Sequence, residues 1–145
     1  MTRFALSIDA PWWEVWRLWT GHLVHYDLRH LALNVIAALP PVVAYPKAAA
    51  RAAALLFAIA APLISIGILL IARPHEYRGA SALVIALWFI VPGRIGYTLM
   101  ALASVKLIVE TFHPFGIALP LAHWLGAAAG VITARTIQRC SPSFS

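Results

Sequence analysis

The alternation of apolar and polar positions divides the chain into an amphipathic opening stretch and five apolar runs. Residues 1–27 mix both kinds of position and carry four tryptophans, Trp12, Trp13, Trp16 and Trp19. Indole rings favour the headgroup level of a bilayer, so this stretch is expected to lie along a membrane surface. Apolar runs follow from about Leu28 to Val43, Ala52 to Ala72, Ser81 to Val91, Ile95 to Thr111 and Ile117 to Thr136, ahead of a polar tail, 137–145. Each run predicts a helix. Pro40 and Pro41 fall near the end of the first, Lys47 and Arg51 mark a short loop after it, and Pro62 is expected to kink the second.

The third run differs from the others. Gly79 and Pro92 bracket it tightly, and as helix the bracketed stretch reaches only about 21 Å, against a hydrocarbon core of about 30 Å. One end is therefore expected to stop inside the bilayer. Exposed helix ends are tolerated there only under cover of protein or water, which is how a buried aqueous site would be built.

Composition supports lipid as the solvent. The 145 residues are 62% hydrophobic and 11% charged, with a mean hydropathy of +0.84, whereas soluble domains average about 45–50% apolar and about 25% charged. The predicted fold class is all-α, a polytopic membrane helix bundle in one domain spanning 1–145, with a surface segment (1–27), a five-span core (28–136) and the tail. The net charge of +6 does not point to nucleic acid, because the Lys and Arg residues are scattered and form no stripe. Cys140 is the single cysteine, which rules out an internal disulfide. The opening MTRFALSIDA lacks the apolar core of a secretion signal. With the C-terminus placed in the cytoplasm, Lys47, Arg51, Arg94, Arg135 and Arg139 lie inside and Arg3, Arg17, Arg29, Arg73 and Arg78 outside. That is no positive-inside signal, and charge alone leaves the orientation open.

Polar residues within apolar runs are costly and mark function. Three sets stand out. His25, His30 and Asn34 open the first run, with His30 and Asn34 four apart on one helix face. Gly79, Ala80 and Ser81 form a small-residue turn at the start of the short run. His123 is followed by Gly126 and Gly130, which make one stripe along the last helix and would let a neighbour approach closely. A serine at a helix start, a histidine reaching it as base, and neutral donors on a third helix together compose a site for attack on a carbonyl. No acid is expected to complete a triad, since the acids fall in loops or near the ends of runs. Each set also has a plainer reading: His30 and Asn34 as a buried polar pair joining helices, Ser81 as a helix cap, His123 as a cross-helix hydrogen bond. Their conjunction on three runs favours the Ser–His dyad.

These motifs resemble those of the rhomboid intramembrane serine proteases. The pair Trp16-Arg17 matches the WR pair of the family's surface loop. His25, His30 and Asn34 match its His-x4-His-x3-Asn motif, Gly79-Ala80-Ser81 its G-x-S, and Ala122, His123, Gly126 and Gly130 its A-H-x2-G-x3-G, all in the family's order. The resemblance implies that Ser81 is the nucleophile and His123 the general base and acid, and that His30, Asn34 and the Ser81 N–H form the oxyanion hole. It also implies that His25 supports a water-filled cavity and that Arg17 anchors the surface loop. The TGHLVH stretch and small size look most like the rhombosortase branch, bacterial enzymes that cleave proteins carrying a C-terminal Gly-Gly sorting tail. The implied partner is a membrane protein with a transmembrane helix, and the implied place is the bacterial inner membrane, the site open to the periplasmic side.

Two positions depart from the family: Ala82 stands where glycine normally follows the serine, and Ile85 where an aromatic often stacks on the catalytic histidine. The family's usual first span has no counterpart in this sequence: either it lies upstream of the assigned start, or the enzyme works with the five spans read here. The departures leave a second class open, a catalytically inactive rhomboid-like protein that binds membrane helices. A haem or metal site is not expected: His22, His25 and His30 cluster, but no second run offers matching ligands. Lys106 and Glu110, four apart, are read either as an ion pair or as a snorkelling lysine beside an acid.

Overall fold

Helices account for most of the chain because the apolar runs are rich in alanine and leucine, the strongest helix formers. The computed structural model describes residues 3–112 and 118–140, so Ile117, expected to open the last run, and the end of the tail from Ser141 lie outside the described residues. The helices are α1 (Arg17–Thr20), α2 (Leu28–Ala44), α3 (Pro46–Leu55), α4 (Ala61–Ile71), α5 (Ser81–Ile90), α6 (Gly93–Thr111) and α7 (Ala118–Cys140). Among the described residues the extended pairing is a single antiparallel bridge, Leu6 with Tyr77. The protein is all-α.

Local chemistry sets the helix boundaries. Asp27 caps α2, its carboxylate accepting the His30 N–H at 2.7 Å. Pro40 and Pro41 lie inside α2. A proline at 41 has no N–H to offer the carbonyl of residue 37, and the Trp88 indole N–H donates to that carbonyl at 2.7 Å instead. The broken helical bond thus becomes a tie between α2 and α5.

The loop expected at Lys47 and Arg51 is helical. Pro46 occupies the first turn of α3, where its fixed φ favours initiation, and the alanine-rich PKAAARAAAL propagates the helix through both cations. Leu56–Ala60 then forms a π-turn leading into α4, with Pro62 at the start of α4. The irregularity expected at Pro62 takes this form: the π-turn widens the backbone where the proline ring would meet the preceding turn. Helix α7 continues to Cys140, so the first residues assigned to the tail are helical.

The continuous helix Pro46–Ile71 is 26 residues long with a mean hydropathy of 2.7 and is long and apolar enough to cross a membrane. Leu28–Ala44 and Ser81–Ile90 are apolar but shorter. Length and composition therefore give one candidate span among the described residues, against five expected. Many outward positions are nevertheless apolar, among them Leu28, Val43, Leu63, Leu70, Val105 and Ile132, all exposed.

Helix α5 is central and touches α2, α3, the π-turn, α6 and α7. Its Ala82 and Ala86 are fully buried in a core with Leu56, Ile64, Ile68 and Ala122. The opening stretch is held against α4 and the 73–79 loop. The Arg17 guanidinium pairs with Glu14 and donates to the Ala5 carbonyl at 2.8 Å, Leu6 and Tyr77 exchange both backbone bonds, at 3.1 and 2.8 Å, and the Ile8 N–H donates to the Pro74 carbonyl at 3.0 Å.

His22 pins this stretch to α4. Its Nε2 lies 3.1 Å from both the Ala61 carbonyl and Ser65 Oγ, and the Ser65 hydroxyl donates to the Leu18 carbonyl at 2.8 Å. Burial holds the His22 imidazole below its usual range, opposed by its backbone partners. Protonation is therefore harder in the folded protein than in the unfolded chain. The resulting stability is fully present above about pH 6.5, the unfolded value, and is lost as pH falls toward the lower folded value. The melting temperature is expected to drop between pH 7 and pH 5, and His22→Gln to flatten that drop.

Candidate active site

Ser81 is the first residue of α5, and the cap position before it belongs to Ala80, which makes no side-chain cap bond. The Ser81 hydroxyl is thus not spent on capping. It lies 2.7 Å from His123 Nε2, joining residues 42 apart in sequence. His123 is 2% exposed.

The pair meets because α7 lies unusually close to α5. A Cβ built at Gly126 would sit 2.2 Å from the Ala82 carbonyl oxygen, and one at Gly130 would sit 2.4 Å from the Ala86 carbonyl oxygen. Only a hydrogen fits at either position. The glycine stripe, one turn and two turns after His123, therefore packs directly on the backbone of the serine helix at Ala82 and Ala86.

Gly79 is fixed by two constraints. Its φ is +125°, a region L side chains avoid, and a Cβ there would lie 2.6 Å from His30 Cε1. Its N–H donates to the Gly21 carbonyl at 2.9 Å, securing the turn that precedes Ser81. The glycine of the G-x-S motif thus makes room for the histidine of another motif.

The three residues on α2 and its approach are placed as follows. The His30 ring stacks on Tyr26, with centroids 5.6 Å apart, and meets His25 edge-on at 5.1 Å. His25 Nε2 and His30 Nδ1 are buried without hydrogen-bond partners. The Asn34 amide donates to the His30 carbonyl at 3.0 Å within its own helix. Among the described residues neither His30 nor Asn34 is hydrogen bonded to Ser81. Trp16 holds the N-cap position of α1 beside Arg17 without a side-chain cap bond, and it is partly exposed.

No protein-family model and no curated protein matches this chain.

The geometry of the site overturns one expectation. An acid does stand behind the histidine: Glu110 Oε2 lies 2.5 Å from His123 Nδ1, and the other carboxylate oxygen pairs with the Lys106 ammonium. Lys106 Nζ also lies 3.3 Å from His123 Nδ1. The lysine is therefore an ion-pair partner and not a lone snorkelling cation. The acid escapes a sequence reading because α6 and α7 must pack before Glu110 faces His123. Its signal is its position, a carboxylate in the last turn of α6, where the helix dipole disfavours negative charge.

Ile85 and Ala82 have structural explanations. Ile85 is buried with Ala103, Leu107 and Ala127, filling space between α5, α6 and α7. No aromatic ring stacks on His123 among the described residues, and the ring is gripped at Nδ1 instead. Ala82 is fully buried, with its carbonyl facing Gly126.

Tyr77 is a residue the sequence reading passes over. It is 3% exposed, edge-on to His22 at 5.8 Å, and its hydroxyl is buried without a hydrogen-bond partner. Burial pushes the phenol well above its usual range, with Tyr26 adding to the effect and the Ser81 side chain opposing it. The group stays a neutral O–H four residues before Ser81. No group of three or more metal-ligating side chains occurs among the described residues.

Proposed function

We propose that this chain is a rhomboid-type intramembrane serine endopeptidase that hydrolyses a peptide bond in or near a transmembrane segment. The observation that carries the reading is the 2.7 Å approach of Ser81 Oγ to His123 Nε2. His123 accepts the hydroxyl proton as the serine attacks the scissile carbonyl, then returns it to the leaving amine; water repeats the sequence to release the acyl group. The negative oxygen is taken by the Ser81 backbone N–H at the free N-terminal end of α5, with His30 and Asn34 as further donors once a substrate draws their side chains inward. His25 supports the water-filled cavity beside them.

Several features favour a membrane setting. Many outward side chains are apolar, and only 33% of the most apolar stretch of Pro46–Ile71 is buried inside the protein, whereas the core helix of a soluble fold is mostly buried. Helix α5 has 10 residues and reaches about 15 Å, short of a hydrocarbon core of about 30 Å, which supports a nucleophile lying below a bilayer surface. The five-span bundle, the inner-membrane location and the periplasmic opening belong to this proposal. So does the substrate, a membrane protein whose C-terminal tail carries a Gly-Gly stretch before its transmembrane helix; glycine lets that helix unwind and present a carbonyl.

The test is cleavage of a Gly-Gly-tailed reporter in proteoliposomes. Release of the reporter by the wild type, absent in Ser81→Ala, supports the reading; an uncut reporter together with a serine inert to fluorophosphonates sinks it. One observation favours a second reading. The Asn34 amide is turned into its own helix, as suits an inactive relative that binds membrane helices without cutting them.

A further inference from the structure

We propose that Glu110 is a positioning residue that selects the working tautomer of His123, and that Lys106 both clamps Glu110 and competes with it for the same ring nitrogen. The inference rests on the protease reading for its catalytic meaning, but its structural content stands apart from it.

Two side chains of opposite hydrogen-bonding character reach Nδ1 of one buried imidazole. The Glu110 carboxylate, an acceptor, is at 2.5 Å, and the Lys106 ammonium, a donor only, is at 3.3 Å. A neutral imidazole carries a proton on one nitrogen and a lone pair on the other. With Glu110 as partner, Nδ1 must hold the proton, which leaves the Nε2 lone pair facing Ser81 Oγ. With Lys106 as partner, Nδ1 must hold the lone pair and Nε2 the proton. In that form the ring donates to Ser81 and cannot take its proton. The shorter contact selects the first form, and that form is the base the reaction needs.

The placement of Glu110 argues for this role independently. An acid in the last turn of α6 opposes the helix dipole. The order Lys106 before Glu110 is also the weaker arrangement of an i,i+4 pair. Neither local preference explains a carboxylate here, and a position that breaks a local rule is where a functional demand is expected. Lys106 compensates by taking the second carboxylate oxygen, which holds the acid in place. The same grip replaces the aromatic ring that Ile85 lacks.

The competition makes an unusual prediction. Removing Glu110 alone leaves Lys106 free to take Nδ1 and lock His123 in the wrong form. Removing both leaves the ring free to adopt either tautomer. Glu110→Ala should therefore be impaired by about a hundredfold or more in fluorophosphonate labelling, and the double variant Glu110→Ala/Lys106→Met should recover at least about tenfold over it. An acid that merely stabilised the fold would give a double variant no better than the single.

The deciding measurement does not need activity. ¹⁵N-histidine NMR of the purified protein in detergent, with His123→Ala assigning the resonance, reports which ring nitrogen carries the proton. The expected result is Nδ1–H in the wild type, Nε2–H in Glu110→Ala, and a mixture in the double variant. An unchanged tautomer in Glu110→Ala, or Nε2–H in the wild type, overturns the proposal. Tautomers as expected in a protein whose serine takes no probe would uphold the proposal while failing the protease reading. Normal labelling with an unchanged tautomer would do the reverse.

Discussion

Fluorophosphonate labelling of the purified protein is expected to vanish in Ser81→Ala and to fall at least about a hundredfold in His123→Ala, with both variants folded as the wild type is. The reason lies in how little packing the two polar groups supply. The Ser81 hydroxyl caps no helix and instead bonds His123, so its removal costs α5 no cap. His123 is deeply buried, yet its ring nitrogens serve Ser81 and the Glu110–Lys106 pair rather than the backbone. His123→Ala opens a cavity and should lower stability by about 1–3 kcal/mol, which a thermal melt separates from the chemical effect. Labelling retained in either variant would remove the dyad mechanism.

The second large effect is on packing. Gly126→Ala is expected to destabilise the protein by about 2–3 kcal/mol and to suppress labelling before unfolding is complete. The added methyl would meet the Ala82 carbonyl oxygen at 2.2 Å and its carbon at 2.8 Å. Both are backbone atoms of α5, so no rotamer change relieves the clash and the helices must separate. The separation opens the 2.7 Å contact between Ser81 and His123, three residues from Gly126 on the same helix. Gly67→Ala is the matched control. Its nearest neighbour is the tip of Leu125, at 2.9 Å, a flexible side chain that can move, so its cost should stay within about 1 kcal/mol. Equal losses at 67 and 126, measured by denaturant unfolding in detergent, would refute this account.

The contrast between these glycines shows what the sequence can reveal. Gly126 and Gly130 lie four apart after a histidine, a spacing that predicts a close helix contact without any structure. The start of α5 at Ser81 was equally visible, because Gly79 and Pro92 bracket it and helices respect such punctuation. At Lys47 and Arg51 the charge suggests a loop, whereas the alanines around them propagate a helix through both cations. Ser65 sits in an apolar run, and nothing local identifies its buried partner as His22, 43 residues away. Glu110 was the costliest omission. Its spacing from Lys106 reads as a pair complete within one helix, and only the packing of α6 on α7 turns the carboxylate toward His123. Local periodicity shows which face a residue occupies; the rotation of one helix against another is a property of the assembled core.

The bridge between Leu6 and Tyr77 has a practical consequence. It lays the opening stretch across the loop that ends at Gly79 and Ser81, so a reporter carried by that stretch senses the approach to the nucleophile. Ile8, whose N–H holds Pro74 while its side chain is exposed, is the place for it. Because Cys140 is the chain's single thiol, replacing it with serine and introducing Ile8→Cys leaves one attachment point for a spin label or fluorophore. If the proposed protease function holds, such a probe would follow the loop as substrate enters and leaves, a spectroscopic readout that requires no labelled substrate.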